Sequence, residues 1–207
     1  MLSWHHGPLM NLPNSLTITR IFLVPLLVVV LLTKVKGPLI FGLPKDVVGA
    51  LIFGVASLTD WADGYLARRR KQITLLGQVI DPLADKLLTS AALISLVQLD
   101  LAQSWMVAVI VGREFAVTTL RSLAYARGVA MPASPLGKIK MVAQVVAILA
   151  LILAHGQSWP FWWLGQAALW VVVVTALISG ADYFRRFNEV MSPRVADYRV
   201  EDKRKAG

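Results

Sequence analysis

TDWADGYLARRRKQITLLGQVIDPLADK, residues 59–86, sets four aspartates at short intervals inside an otherwise greasy chain. Asp60 and Asp63 are three apart, Asp81 and Asp85 four apart, and such spacings place each pair on one face of a helix. The sequence on either side is apolar enough to span a bilayer. There a carboxylate at the centre of a helix costs about 3 kcal/mol on insertion scales. The fold and the function both turn on why four such groups occur together.

The bulk composition gives the setting. Of 207 residues, 57% are hydrophobic and 16% are charged, whereas a soluble domain carries about 25% charged residues. The mean hydropathy is +0.63. The apolar excess is blocked into long runs and predicts a helical integral membrane protein, one compact bundle by its length. Cysteine is absent, which excludes disulfides, thiolate catalysis and cysteine-held metals. The three histidines, His5, His6 and His155, form no metal-ligand spacing with a carboxylate. The first apolar stretch lacks a small-residue cleavage site and reads as a retained span.

Turn signals separate six expected spans, at 15–34, 46–69, 80–99, 103–127, 137–155 and 161–186, each near the ~20 residues a crossing helix needs. They form an expected membrane domain over 1–187, followed by a polar basic tail at 188–207. With the N-terminus cytoplasmic, the outer loops hold only Lys34, Lys36 and Lys45 of the 21 basic residues. This bias puts both termini in the cytoplasm, with the tail anchoring topology against anionic lipid. Trp4, Trp105, Trp159, Trp162 and Trp163 near span ends read as an interfacial aromatic belt.

Charge enters every span on the same side. Arg20, the four aspartates, Arg68, Lys86, Arg113, Glu114, Arg121, Lys138, Lys140, Asp182, Arg185 and Arg186 all fall toward the cytoplasm in an up-down bundle. The expectation is one polar chamber open on that side. At 1.5 Å per residue, Asp63 and Asp81 lie about 7 Å and 6 Å inside the interface, and Asp60 and Asp85 about 12 Å. A short connection makes the two helices antiparallel neighbours, so the four carboxylates converge. An all-oxygen cluster of this kind suits hard divalent cations, Mg²⁺ or Mn²⁺, and two such ions form a clamp for phosphoryl substitution. The competing account is a structural ion-pair network with Arg68 and Lys86. Gly64, after Asp63, reads either as close approach of a ligand or as tight helix packing. Transport sites lie near the midplane, whereas this cluster lies at headgroup depth, which favours headgroup chemistry.

The pattern Asp60-x-x-Asp63-Gly64-x-x-Ala67-Arg68, eight residues, Gly77, three residues, Asp81, three residues, Asp85 resembles the signature of the CDP-alcohol phosphatidyltransferases. Further stretches are similar to the family's bacterial branch that takes glycerol 3-phosphate as acceptor: NLPNSLTITR, DPLADKLL, REFAVTTLR, LGKIK and ISGADYF. One departure is Met141, where the branch carries threonine. The resemblance implies a six-helix, commonly dimeric enzyme of the bacterial inner membrane, with its active site facing the cytoplasm. It also implies transfer of a phosphatidyl group from CDP-diacylglycerol to glycerol 3-phosphate, in company with membrane lipids rather than nucleic acid. By the same resemblance Asp60, Asp63, Asp81 and Asp85 hold two ions, Asp85 also serving as general base. Gly64, Arg68, Thr74 and Gly77, with Pro13, Asn14, Ser15 and Thr17, contact CDP-diacylglycerol.

The acceptor is a dianion and needs cations of its own. Arg113 and Arg121, about 80° apart around one helix, with Lys138 and Lys140, are the expected phosphate ligands. Ordinary topology charge is the alternative reading of all four. Sister enzymes with phosphatidylglycerol, serine or inositol phosphate as acceptor, and a cation-coupled transporter, are the competing functions.

Overall fold

The computed structural model describes residues 12–34, 42–70, 75–126, 135–156 and 159–191, with side chains over 19–34, 42–59, 86–126, 139–155 and 160–188. Six α-helices account for nearly all of them: α1 Leu12–Leu32, α2 Lys45–Arg70, α3 Leu75–Gln98, α4 Ser104–Ala126, α5 Pro135–Gly156 and α6 Trp159–Met191. No strand occurs among the described residues. The element order and number match the six apolar runs of the sequence.

The ends differ where local chemistry outlasts hydropathy. α2 continues one residue past its expected end, through Arg70. Arginine is a good helix former, and cations at a helix C-terminus are favoured by the dipole. α3 starts at Leu75 rather than at 80 and takes in Gly77; one interior glycine costs only about 1 kcal/mol. α6 runs five residues past its expected end, through FNEVM, again a segment of mostly helix-compatible residues. α1 accommodates Pro25 in its interior, where the missing N–H leaves one carbonyl of the previous turn without its ladder partner.

The chain divides into two compact units. The first joins residues 1–104 with 145–167. In it α1 packs against both α3 and α2, and α2 touches α3. Leu27, Leu31, Phe53, Leu88, Leu93, Leu96, Ile148, Leu151 and Ile152 are fully buried. Two glycines allow close approach: a Cβ at Gly49 would lie 2.6 Å from Leu31 Cδ2, and one at Gly165 would lie 2.6 Å from Leu151 Cγ and 3.1 Å from its backbone nitrogen.

Polar groups fasten the ends of these helices. Lys45 Nζ donates to the carbonyl of Thr33, just past the end of α1, at 3.2 Å. Buried Asp46 meets His155 Nδ1 at 2.9 Å, tying the start of α2 to the end of α5. After α3, Asp100 turns to φ 59°, while the amides of Leu101 and Ala102 donate back to the carbonyl of Leu96. This is a left-handed C-terminal cap. Gln166 holds the same turn by donating to the Leu101 carbonyl at 2.7 Å.

The second unit comprises residues 105–144 and 168–207, hence most of α4, the start of α5 and most of α6. Trp105 and Trp170 meet edge to face with centroids 5.6 Å apart. Along α6, Leu169, Val172, Val173, Ala176 and Tyr183 are buried.

Large apolar side chains remain exposed on every helix. Phe22 and Val29 on α1, Leu58 on α2, Ile94 on α3, Leu123 on α4, Val142 on α5, and Leu177 and Phe184 on α6 are examples. Soluble monomers rarely expose this much large apolar surface. Residues 160–188 are long and apolar enough to cross a membrane, and only 33% of their most apolar window is buried. A soluble core helix of that hydropathy would be covered by its own protein.

Candidate functional site

The acidic signature lies on two continuous helices of the first unit. Asp60, Asp63, Gly64 and Arg68 belong to α2, and Gly77, Asp81 and Asp85 to α3. Helical backbone through both stretches is what the spacings three and four require for each aspartate pair to share a face. α2 and α3 touch, and α1, which carries Pro13, Asn14, Ser15 and Thr17 in its first turns, packs against both. Thr74 and the side chains of these site residues lie outside the described ones. Among the described residues no group of three or more acidic, histidine or cysteine side chains is placed to hold a metal. The donor set on α2 and α3 fits a divalent ion by its chemistry: four carboxylates, all hard oxygen ligands.

Arg20 adds a feature that the sequence reading did not assign to the site. It sits on α1 and is 3% exposed. A buried guanidinium is costly unless compensated, and it belongs to the unit that carries the four acids.

The basic cluster lies in the second unit and is described in atomic detail. Arg113 and Arg121 project from α4 toward one aromatic ring, that of Tyr183 on α6. Their guanidinium carbons lie 5.9 Å and 5.7 Å from its centroid, within the range of cation–π attraction. Arg113 Nη2 also donates to Ser179 Oγ at 2.7 Å, and Ser179 in turn donates to the Thr175 carbonyl one turn back. Glu114 forms an ion pair with Lys140 of α5 and lies 3.9 Å from Arg113 Nη1. Lys140 is 4% exposed. Three of the four expected acceptor-phosphate ligands thus belong to one linked set: Lys140, Glu114, Arg113, Tyr183 and Arg121. Lys138 lies on α5, its side chain outside the described ones.

The set carries three cations against one carboxylate. Asp182, which precedes Tyr183 on α6, is engaged by Arg186 at 3.0 Å. The Nε of Arg113 is buried and has no hydrogen-bond partner among the described residues. Buried donors are normally satisfied; here a donor is left over beside excess positive charge, the combination that an anion completes.

Sequence reasoning found the cations and missed what arranges them. Glu114, Ser179 and Tyr183 received no site role, though REF and ISGADYF were both noted. The available signal was the spacing in SGADY: a hydroxyl and an aromatic four apart on one helix face, with glycine between them. The departure at Met141 also gains an explanation. Met141 is 53% exposed while Lys140 beside it is buried, so position 141 lies off the side of α5 that carries the cluster's lysine.

A model of the CDP-alcohol phosphatidyltransferase family matches residues 10–178. A Bacillus subtilis protein named CDP-diacylglycerol–glycerol-3-phosphate 3-phosphatidyltransferase is 46% identical over 185 residues, covering 85% of this chain and 94% of its own. Proteins of the same name from Rickettsia typhi and Pseudomonas fluorescens are 37% and 35% identical. They cover 84% and 85% of this chain and 96% and 89% of their own.

Proposed function

The chain belongs to the CDP-alcohol phosphatidyltransferase family, and from that premise we propose that it transfers the phosphatidyl group of CDP-diacylglycerol to glycerol 3-phosphate, releasing CMP. The observation that carries the acceptor assignment is the cationic set around Tyr183, in which Lys140 is buried, Arg113 half-buried and Arg121 exposed, with three cations to one carboxylate within the set and the spare Nε donor of Arg113. A neutral alcohol has no use for such a set; a phosphomonoester dianion does. The names of the relatives point to the same acceptor.

Each group has a defined task. Asp60, Asp63, Asp81 and Asp85 are the ligands for two divalent ions, Mg²⁺ or Mn²⁺. When bound, the ions offset the charge of the pyrophosphate and of the departing CMP. Gly64, Arg68, Thr74, Gly77 and the Pro13–Thr17 segment hold the CDP moiety. Arg113, Arg121, Lys138 and Lys140 hold the acceptor's phosphate and so fix its free hydroxyl. Asp85 takes the proton from that hydroxyl, contributing about 10²–10⁴-fold as a general base. The hydroxyl oxygen forms the new bond to the lipid-linked phosphorus as the phosphoanhydride bond breaks, and the electron pair departs on CMP. No water enters the balance, so excluding it from the site protects the donor from hydrolysis.

The same reading makes all six helices membrane spans of a bacterial inner-membrane protein, with both termini and the charged helix ends on the cytoplasmic side, where both substrates are supplied. The exposed apolar side chains on every helix support it. A homodimer is the expected assembly, and crosslinking in native membranes reads it directly.

CMP release from CDP-diacylglycerol, measured with purified protein, Mg²⁺ and a panel of acceptors, tests the reaction. Glycerol 3-phosphate is expected to support turnover far above phosphatidylglycerol, serine or inositol phosphate. Preference for another acceptor makes the protein a sister enzyme; no release with any acceptor returns the carboxylates to an ion-transport role.

A further inference from the structure

We propose that Tyr183 is a positioning residue that gathers Arg113 and Arg121 into a single phosphate-binding pair. The inference rests on the reading that this cluster binds the acceptor's phosphate, and it assigns a role to a residue that touches neither substrate.

Geometry creates the need. Arg113 and Arg121 are eight residues apart on α4, so their Cα atoms are about 12 Å apart along the axis and about 80° apart around it. One phosphate is far smaller than that separation. For both guanidiniums to meet it, both long side chains must fold toward a common point and hold there. Like charges and rotamer entropy oppose this: each long side chain loses up to about 2 kcal/mol of freedom when fixed.

Tyr183 supplies the common point. Its ring is 4% exposed and lies within 6 Å of both guanidinium carbons. The negative ring face attracts each cation without consuming any N–H donor. A carboxylate in the same place would also gather the two arginines, but it would neutralise them and compete with the phosphate for their donors. The neighbouring α6 residues fit the same purpose. Ser179, one turn before Tyr183, accepts from Arg113 Nη2. A Cβ at Gly180 would lie 3.4 Å from Arg113 Cγ, so the arginine stem packs directly against this face of α6. Asp182, beside Tyr183 in sequence, is engaged by Arg186.

The test compares the wild type with Tyr183→Phe, Tyr183→Leu and a series with increasingly fluorinated phenylalanine at position 183. Binding of glycerol 3-phosphate and of inorganic phosphate to the detergent-solubilised full chain is measured by titration calorimetry. CMP release is measured in parallel. Phenylalanine keeps the ring face, so its affinity is expected within about threefold of the wild type. Leucine removes the face and should weaken both anions about tenfold or more, since two cation–π contacts are lost. Graded fluorination drains the ring face with almost no change of shape, so affinity should fall stepwise even if the leucine variant does not fold. The KM for glycerol 3-phosphate should follow these affinities while the KM for CDP-diacylglycerol stays within about twofold.

Affinity that is flat across the fluorinated series overturns the proposal. So does a parallel rise of both KM values, or a wild-type protein that binds neither anion. Failure of the functional reading looks different: the wild type would bind phosphate and respond to the ring series, yet release no CMP with glycerol 3-phosphate.

Discussion

In the proposed reaction, single side chains divide into those that hold the acceptor and those that act on it. Arg121 reaches Tyr183 and is one of the proposed acceptor-phosphate ligands. Arg121→Ala should therefore raise the KM for glycerol 3-phosphate by tenfold or more, because charge-assisted bonds are worth roughly 1.5–3 kcal/mol. The KM for CDP-diacylglycerol should hardly move, and initial-rate kinetics with each substrate varied in turn separates the two. Asp85→Asn keeps the size of the side chain and removes the base. CMP release should drop by about 10²–10⁴-fold, with phosphate binding at the arginine cluster intact by calorimetry. Met141→Thr, which restores the branch's usual residue, should change the acceptor KM by less than about twofold, because this exposed position lies beside buried Lys140 rather than with it. The acids and cations were legible as residues, since an ionised group inside an apolar run has few explanations. Tyr183 was not, because an aromatic near a span end is ordinary in a membrane protein; only its two arginine contacts distinguish it.

Helices were legible as runs and misjudged at their ends. Hydropathy stops where polar residues begin, whereas helical hydrogen bonding continues as long as the residues tolerate it. Arg70 at the end of α2 and the FNEVM extension of α6 are both cases. Helix contact sets a further limit that no run of letters displays. Gly165 and Gly49 look alike in sequence and both occupy close approaches, but they differ in what faces them. At Gly165 a Cβ would meet Leu151 at its branch point and backbone; at Gly49 the nearest atom is a terminal methyl of Leu31. Gly165→Ala should cost about 1–3 kcal/mol as overpacking and lower the apparent Tm in detergent. Gly49→Ala should cost clearly less, because a leucine end can swing aside. Equal melting shifts for the two would contradict the packing described for α5 and α6 in the first unit.

At the scale of the whole molecule, the proposed reaction requires divalent ions and one orientation in the bilayer. EDTA should abolish CMP release, and Mg²⁺ or Mn²⁺ should restore it, whereas Ca²⁺, which prefers more and longer oxygen contacts, should restore less. Orientation is open to a clean assay because the chain has no cysteine. A Lys36→Cys protein should react with an impermeant maleimide added outside intact cells. A Lys203→Cys protein should react only after the membrane is opened; the reverse pattern would invert the topology. By itself the sequence determined the helical class, the six runs, the acid signature and the abundance of cations. Each of these is written in local periodicity, or in the expense of charge within apolar sequence, and neither depends on distant parts of the chain. Only the tertiary structure decided which cations stand together: Arg113 and Arg121 meet on a ring more than sixty residues away, and Lys140 reaches Glu114 from another helix. Side-chain convergence between helices is set by how α4, α5 and α6 pack, and packing is a property of surfaces in contact rather than of spacing along one strand of letters.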